Sequence, residues 1–338
     1  MALKAAAHKE PMRPDSFALG LGLTNECNLA CAFCYRDPTR TDRLDLEQVR
    51  SVVESVPLRS VNLGTGENGL HPDFPAILAY LRQKPIKLTM TSNGRSVQIL
   101  SDEDVKAFHE LEFSLDYPNE AEQDAQRGTG NWALIHEQAA RCRTLGVPVT
   151  FVAVMMRSNF DRLADIAGVA KTYGAPLRLN VYQAVRSDRF ALSYEQYWTG
   201  FQLLFDRTDV LAIGEPLVRA MAGLPPREGG CGVATIRVTP RATVQPCVYW
   251  PGRGAPRFGN QACRGAPSGQ IRQCLHDRGH GPLTRSQSWG ESSLVGSLTF
   301  MTNATIAPDA NVIPPIDTIA HRMPKTSAMI PAQSAPIA

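Results

Sequence analysis

From Phe17 to about Val185 the chain alternates short apolar runs with amphipathic stretches, and this pattern restricts it to folds built from repeated β–α units. The runs Phe17–Leu23, Ser60–Leu63, Ile86–Thr91, Leu111–Leu115, Val147–Met156 and Pro176–Val181 read as strands. Between them, Asp45 can cap a helix with the apolar face Leu46, Val49, Val52, Val53 and Val56, and Gln48 stands where a capping box needs it. A second helix places Ile135, Ala139, Cys142 and Leu145 on one face and stops at Gly146; a third carries Leu163, Ile166, Ala167 and Ala170 and stops at Gly174. Strands joined by crossover helices lie parallel, so the expected fold is α/β, a partial (β/α)6 TIM-type barrel over residues 16–210, preceded by an N-terminal tail, 1–15. In such folds chemistry sits at the carboxyl ends of the strands.

A helical stretch, Ser193–Asp206, follows the sixth strand. Within 211–250, Thr235–Val238, a Thr-Pro-Arg-Ala turn and Thr243–Val248 read as a small hairpin extension. After Pro251 periodicity vanishes and glycines follow in quick succession. Residues 252–338 hold eight Lys/Arg, four Asp/Glu and only four Leu, too little apolar surface to build a core. The tail 251–338 is therefore read as disordered, and a reading-frame error in the source gene would give the same composition. A net charge of +3 argues against nucleic acid or an anionic membrane as the main partner. No apolar run approaches the ~18–20 residues of a membrane span. The first fifteen residues lack the apolar stretch of a secretory signal, so the expected compartment is the cytoplasm.

Three of the eight cysteines, Cys27, Cys31 and Cys34, fall in Thr24-Asn-Glu-Cys-Asn-Leu-Ala-Cys-Ala-Phe-Cys-Tyr35, directly after the first strand. In a reducing compartment clustered cysteines read as metal ligands before disulfides. Soft thiolates suit iron–sulfur clusters, and three of them leave one iron of a cubane open for an exogenous ligand. A structural zinc site would need a fourth ligand, such as His71 or His109.

The segment closely resembles the CxxxCxxC loop of the radical SAM superfamily, including the aromatic Phe33 before the third cysteine. The resemblance implies a [4Fe–4S] cluster on Cys27, Cys31 and Cys34 that chelates S-adenosyl-L-methionine and cleaves it to a 5′-deoxyadenosyl radical, which abstracts hydrogen from a substrate. Gly64-Thr65-Gly66-Glu67 resembles the family's GGE motif, which meets the methionine amino group; here Thr65 replaces a glycine and Asn68 stands where proline is common. Thr91-Ser92-Asn93-Gly94 resembles the TNG segment near the ribose, with Ser92 and Asn93 as candidate contacts. Ser114-Leu115-Asp116 resembles SLD, with Ser114 a candidate ribose or carboxylate contact and Asp116 facing substrate. Arg127-Gly128-Thr129-Gly130 resembles RGxG, whose guanidinium could pair with the methionine carboxylate. Each of these segments also reads simply as a turn, a polar strand end or a surface ion pair. Asn180 and Gln183, near the end of the sixth strand, are weaker candidates for adenine or substrate. Cys142 sits on an apolar helix face as a small hydrophobe. His71, His109 and His136 show no metal spacing and read as surface or loop residues.

Cys231 and Cys247 bracket the hairpin. With Pro246 before Cys247, they resemble the start of the SPASM/twitch extension, where such cysteines begin the ligand set of an auxiliary [4Fe–4S] cluster. Ala242 occupies the position where that pattern has glycine, and in place of the following CxxC series the chain has only Cys263 and Cys274. A second cluster and its absence both stay open. The resemblance implies a peptide or small-molecule substrate and an electron donor such as flavodoxin or ferredoxin. Relatives of this type commonly modify peptides, proteins or cofactor precursors; a cofactor-biosynthetic or activating enzyme, and a non-catalytic iron–sulfur or zinc protein, are the alternatives.

Overall fold

The computed structural model describes residues 16–184, 187–212 and 235–245. Cys231, Cys247, the tails 1–15 and 251–338, and the end of the expected hairpin beyond residue 245 lie outside the described residues. The elements run β1 (Phe17–Leu21), α1 (Leu46–Ser55), β2 (Leu58–Leu63), α2 (Phe74–Leu81), β3 (Lys87–Ser92), α3 (Arg95–Ile99), α4 (Asp102–Val105), β4 (Glu110–Ser114), α5 (Glu120–Arg127), α6 (Asn131–Thr144), β5 (Val149–Met155), α7 (Leu163–Thr172), β6 (Leu177–Val181), α8 (Tyr194–Arg207), β7 (Leu211–Ala212), β8 (Thr235–Val238) and β9 (Val244–Gln245).

All six expected strands form, and they pair in parallel in chain order. The sheet is open, in the order β7-β6-β5-β4-β3-β2-β1-β8-β9, as a partial barrel requires. Asp45 caps α1 through the expected capping box with Gln48. The helix α2, Phe-Pro-Ala-Ile-Leu-Ala-Tyr-Leu, buries five positions and exposes Pro75, Ala76 and Ala79, so no polar face betrays it in the sequence. The hairpin does not stand apart. β8 pairs in parallel with β1, in the register Gly20↔Arg237, and so continues the barrel sheet at its β1 edge.

Side chains on a strand alternate between faces, and here the two faces differ sharply. One carries Leu19, Leu21, Val61, Leu63, Met90, Leu111, Phe113, Phe151 and Leu177, all buried against the helices in one apolar core. The other carries Gly20, Asn62, Thr91, Glu112, Val152 and Arg178. On this polar face Glu112, 2% exposed, accepts hydrogen bonds from Thr91 and from Arg178 Nη2 at 2.6 Å. Closed barrels of this type fill their interior with branched apolar side chains. Here the concave side keeps a buried ion pair and small residues.

Candidate active site

Because β1 to β4 run parallel, the cluster loop after β1, the Gly64–Glu67 turn after β2, Ser92-Asn93 ending β3 and Ser114–Asp116 ending β4 all reach the same edge of the sheet. The cluster loop has little regular structure, so its polar groups need partners from elsewhere. Arg36 supplies two of them, donating to the carbonyls of Asn25 at 3.0 Å and Leu29 at 2.5 Å. Asn25 in turn holds the return of the loop, accepting from the Asp42 N–H at 2.8 Å. The Cys34 N–H donates to Cys31 O at 3.0 Å, which fixes the short spacing between the last two cysteines.

The three cysteines are free and half-buried. Burial pushes the Cys27 thiol up to about 11 and raises Cys31, in each case because a thiolate loses its hydration there. A group that stays a thiol at neutral pH becomes a thiolate ligand only when a cation replaces its proton. Among the described residues no three His, Cys, Asp or Glu side chains converge as a mononuclear ion requires. Ligands of a cubane bind different irons and need no such convergence. Of the fourth ligands that zinc would call on, His71 and His109 use Nδ1 to accept from the Asp73 and Leu88 N–H groups, and among the described residues neither ring joins the cysteines in a ligand group. The donor set therefore fits a cluster with one open iron better than it fits zinc.

The turn after β2 is built for close backbone approach. A Cβ on Gly66 would lie 2.3 Å from Glu26 O and 2.6 Å from Thr24 O, and its φ is +63°. Thr65 also has positive φ, 95°, at the position where the resembling motif has glycine. Glu67, 1% exposed, is saturated by the β3–α3 turn: Oε1 accepts from Ser92 Oγ (2.5 Å) and Ser96 N (2.6 Å), Oε2 from Asn93 N (2.9 Å). In this arrangement its carboxylate fixes the turn, and the backbone of 64–66 is what the turn presents.

From Asn93 a line of hydrogen bonds runs around the mouth. Asn93 Nδ2 donates to Cys27 Sγ at 3.5 Å and to Asn28 Oδ1 at 2.9 Å. Its carbonyl accepts from Asn131 Nδ2 (2.9 Å), and Asn131 Oδ1 accepts from Gln123 Nε2 (2.9 Å). Gln123 Oε1 accepts from Asp116 N (2.9 Å), and Asp116 Oδ2 pairs with Arg127 Nε at 2.7 Å. Arg127 O accepts from Cys31 Sγ at 3.9 Å, so the line begins at one cluster cysteine and ends at another. Asp116 is fully buried and its second oxygen accepts from the Val154 N–H at 2.8 Å, which turns it away from the substrate-facing role the resemblance implies. Arg127 lies over the Phe33 ring, 5.3 Å from its centroid, with Asp116 as its ion-pair partner. Ser114 contributes its carbonyl to Gln123, and Asn180 Oδ1 lies 3.5 Å from Arg178 Nη1 on the polar face.

Asn131, Gln123, Arg36 and Arg237 carry no motif in the sequence, and only their partners in the fold mark them. His71 lies in a loop as expected, though buried, 3% exposed. One histidine is corrected: His136 lies within α6, with Nδ1 2.6 Å from the hydroxyl of Tyr173, a partner from distant sequence that spacing cannot reveal. Cys142 is buried in the core as expected.

Residues 21–169 match the model of the Radical SAM superfamily. This chain carries a radical SAM domain. Its relatives include the mycofactocin maturase MftC of Mycolicibacterium smegmatis, 27% identical over 165 residues, which make up 46% of this chain and 42% of MftC. A probable GTP 3′,8-cyclase of Pyrococcus abyssi is 24% identical over 202 residues, 58% of this chain and 66% of the cyclase. The chain thus spans less than half the length of the maturase. Among solved structures, Streptococcus suis SuiB bound to S-adenosylmethionine aligns with a TM-score of 0.57 at 16% identity, over 77% of this chain and 68% of SuiB. anSMEcpe with bound AdoMet aligns at 0.58 and 15%, over 73% of this chain and 78% of that one. At these identities the likeness is one of fold.

Proposed function

We propose that this chain is a radical SAM enzyme acting on a peptide, with Cys27, Cys31 and Cys34 holding a [4Fe–4S] cluster. The observation that carries the reading is the loop after β1: three free thiols at the carboxyl edge of a parallel sheet, directly against a glycine turn whose Gly66 packs on the carbonyls of that loop. Bound together, the cluster and S-adenosylmethionine would supply one-electron cleavage of a C–S bond, releasing methionine and a 5′-deoxyadenosyl radical. The residues of the chain position and enclose. Arg36 and Asn25 fix the loop, and Asn93 donates toward the Cys27 sulfur, an interaction that tunes the potential of such clusters. The backbone of Gly64, Thr65 and Gly66 would receive the methionine amino group, with Glu67 bracing the turn from behind. Asn93 and Ser114 would line the ribose side, while Ser92, buried and bonded to Glu67, holds the turn from behind. Arg127, held by Asp116, would lend positive charge on the carboxylate side.

The polar face of the sheet, with Asn62, Glu112 and Arg178, would form the floor under the substrate. Peptide is the favoured substrate because SuiB has been solved with its precursor peptide SuiA and anSMEcpe with a peptide, and MftC is named a maturase. A flavodoxin or ferredoxin would deliver the electron, and free thiols suit the reducing cytoplasm. Among the described residues no helix is long and apolar enough to cross a membrane.

Anaerobic reconstitution tests the reading. Iron- and sulfide-loaded, reduced protein given S-adenosylmethionine should yield 5′-deoxyadenosine, and Cys31→Ala should not. Iron-loaded wild type that yields none, with or without candidate peptides, would overturn it.

A further inference from the structure

The β8–β9 hairpin reaches the cofactor turn through one side chain. Arg237 of β8 lies opposite Gly20 of β1, with its stem beside the strand: a Cβ on Gly20 would meet Arg237 Cγ in ordinary contact, at 3.7 Å. At its tip Nη2 donates to the Tyr35 hydroxyl at 2.8 Å and to Thr65 Oγ1. The two hydroxyls are themselves 3.2 Å apart, and the guanidinium lies over the Tyr35 ring, 5.3 Å from its centroid. Tyr35 is the residue after Cys34, and Thr65 is the middle of the turn proposed to receive the methionine amino group. Behind them Gly22 is pinched between the hairpin turn and the cofactor turn, since a Cβ there would lie 2.9 Å from Pro240 Cδ and 3.0 Å from Thr65 Oγ1.

This junction also accounts for Thr65. A threonine at φ 95° is strained, by roughly 1–2 kcal/mol relative to glycine, and such residues persist where their surroundings over-determine them. Glycine would relieve the strain and lose the hydroxyl that Arg237 and Tyr35 grip. A planar guanidinium, with its several donors fixed in one fork, can serve two hydroxyls at once.

We propose that Arg237 is a positioning residue for S-adenosylmethionine: through the Thr65 hydroxyl it locks the cofactor turn against the cluster loop, so that the C-terminal hairpin sets cofactor affinity. The proposal rests on the cofactor role given above to Gly64–Gly66, and the test separates the two. Wild type, Arg237→Ala, Arg237→Lys, Thr65→Val and the Arg237→Ala/Thr65→Val double variant are reconstituted with iron and sulfide. S-adenosylmethionine is titrated into each while the paramagnetic resonance signal of the reduced cluster is followed. Arg237→Ala should weaken binding by about 10-fold, the loss expected for one charge-assisted hydrogen bond, with iron content and thermal midpoint close to wild type. Thr65→Val, which keeps the branched shape and drops the hydroxyl, should match it. The double variant should bind no worse than either single one, because both break one link. Lys, a single point of charge, should restore only part of the affinity. Multiplicative losses in the double variant, full rescue by Lys, or lost iron at unchanged affinity would each overturn the proposal. Should Arg237→Ala fail to fold, Thr65→Val and Tyr35→Phe carry the same comparison. A wild type whose signal ignores S-adenosylmethionine would instead overturn the cofactor role of the turn itself.

Discussion

The two halves of the barrel mouth are held by different forces. At the ends of β1 to β3, backbone meets backbone: Gly66 fits beneath the carbonyls of Thr24 and Glu26, the Glu67 N–H donates to Glu26 O at 2.7 Å, and the one buried carboxylate accepts mainly backbone N–H groups. At the ends of β4 and β5 a buried charge pair, Asp116–Arg127, holds the strand ends to α5 and reaches the cluster loop through the Arg127 carbonyl. The first half gains its shape from tight space, which tolerates no added atom. The second gains it from electrostatics, which tolerates change in size but not loss of a partner. Between them, Asn131 and Gln123 join the halves with side-chain amides.

Removing one partner of the charge pair should have the largest effect. Asp116→Ala leaves Arg127 buried without its counter-charge and orphans the Val154 N–H, so stability should fall by about 3–5 kcal/mol, read from urea unfolding. A loss below about 1 kcal/mol would mean that the second half is packed rather than charged. In the first half, Gly66→Ala should cost roughly 3 kcal/mol, from overpacking together with positive φ, and should lower iron uptake. Gly130→Ala is its control. Gly130 has φ +81°, but a Cβ there would meet nothing within 4 Å, so only the conformational part, about 1 kcal/mol, should appear. Equal costs at both sites would refute the claim that space is what shapes the first half.

A pH series probes a third kind of group, the buried thiol of α6. Burial raises Cys142 from 9.0 to about 11, so the folded state holds its proton more tightly than the unfolded state does. That stability is present in full below about pH 9 and is lost as pH rises through about 11. The loss attributable to this thiol should be about 2–3 kcal/mol, and Cys142→Val should lack it when unfolding midpoints are compared at about pH 8 and 11. The smallest effect is expected at the strained turn. Thr65→Gly relieves positive φ but adds freedom to the unfolded chain, so thermal stability should change by no more than about 1 kcal/mol in either direction.

The sequence alone determined the order of the strands and the cluster loop. Strand and helix periods are local, and Asp45 with Gln48, or Gly146 after α6, mark their ends by chemistry that needs no distant partner. It also flagged Thr65 and Ala242 as residues standing where related patterns have glycine. Among the described residues these two are the non-glycine positions with positive φ, 95° and 56°. Helix α2 went unread because even its exposed positions, Pro75, Ala76 and Ala79, are apolar, so the sequence shows no polar face.

Tertiary structure decided everything that depends on which polar group finds which partner. Whether Glu67 braces a turn, whether Asp116 faces inward to Arg127, whether β8 stands alone or extends the sheet beside β1: each is settled by residues far away along the chain. Periodicity reports the face a residue occupies, because it arises from the geometry of one segment. A hydrogen bond between Arg237 and Thr65 belongs to two segments at once, and only the folded chain brings them together.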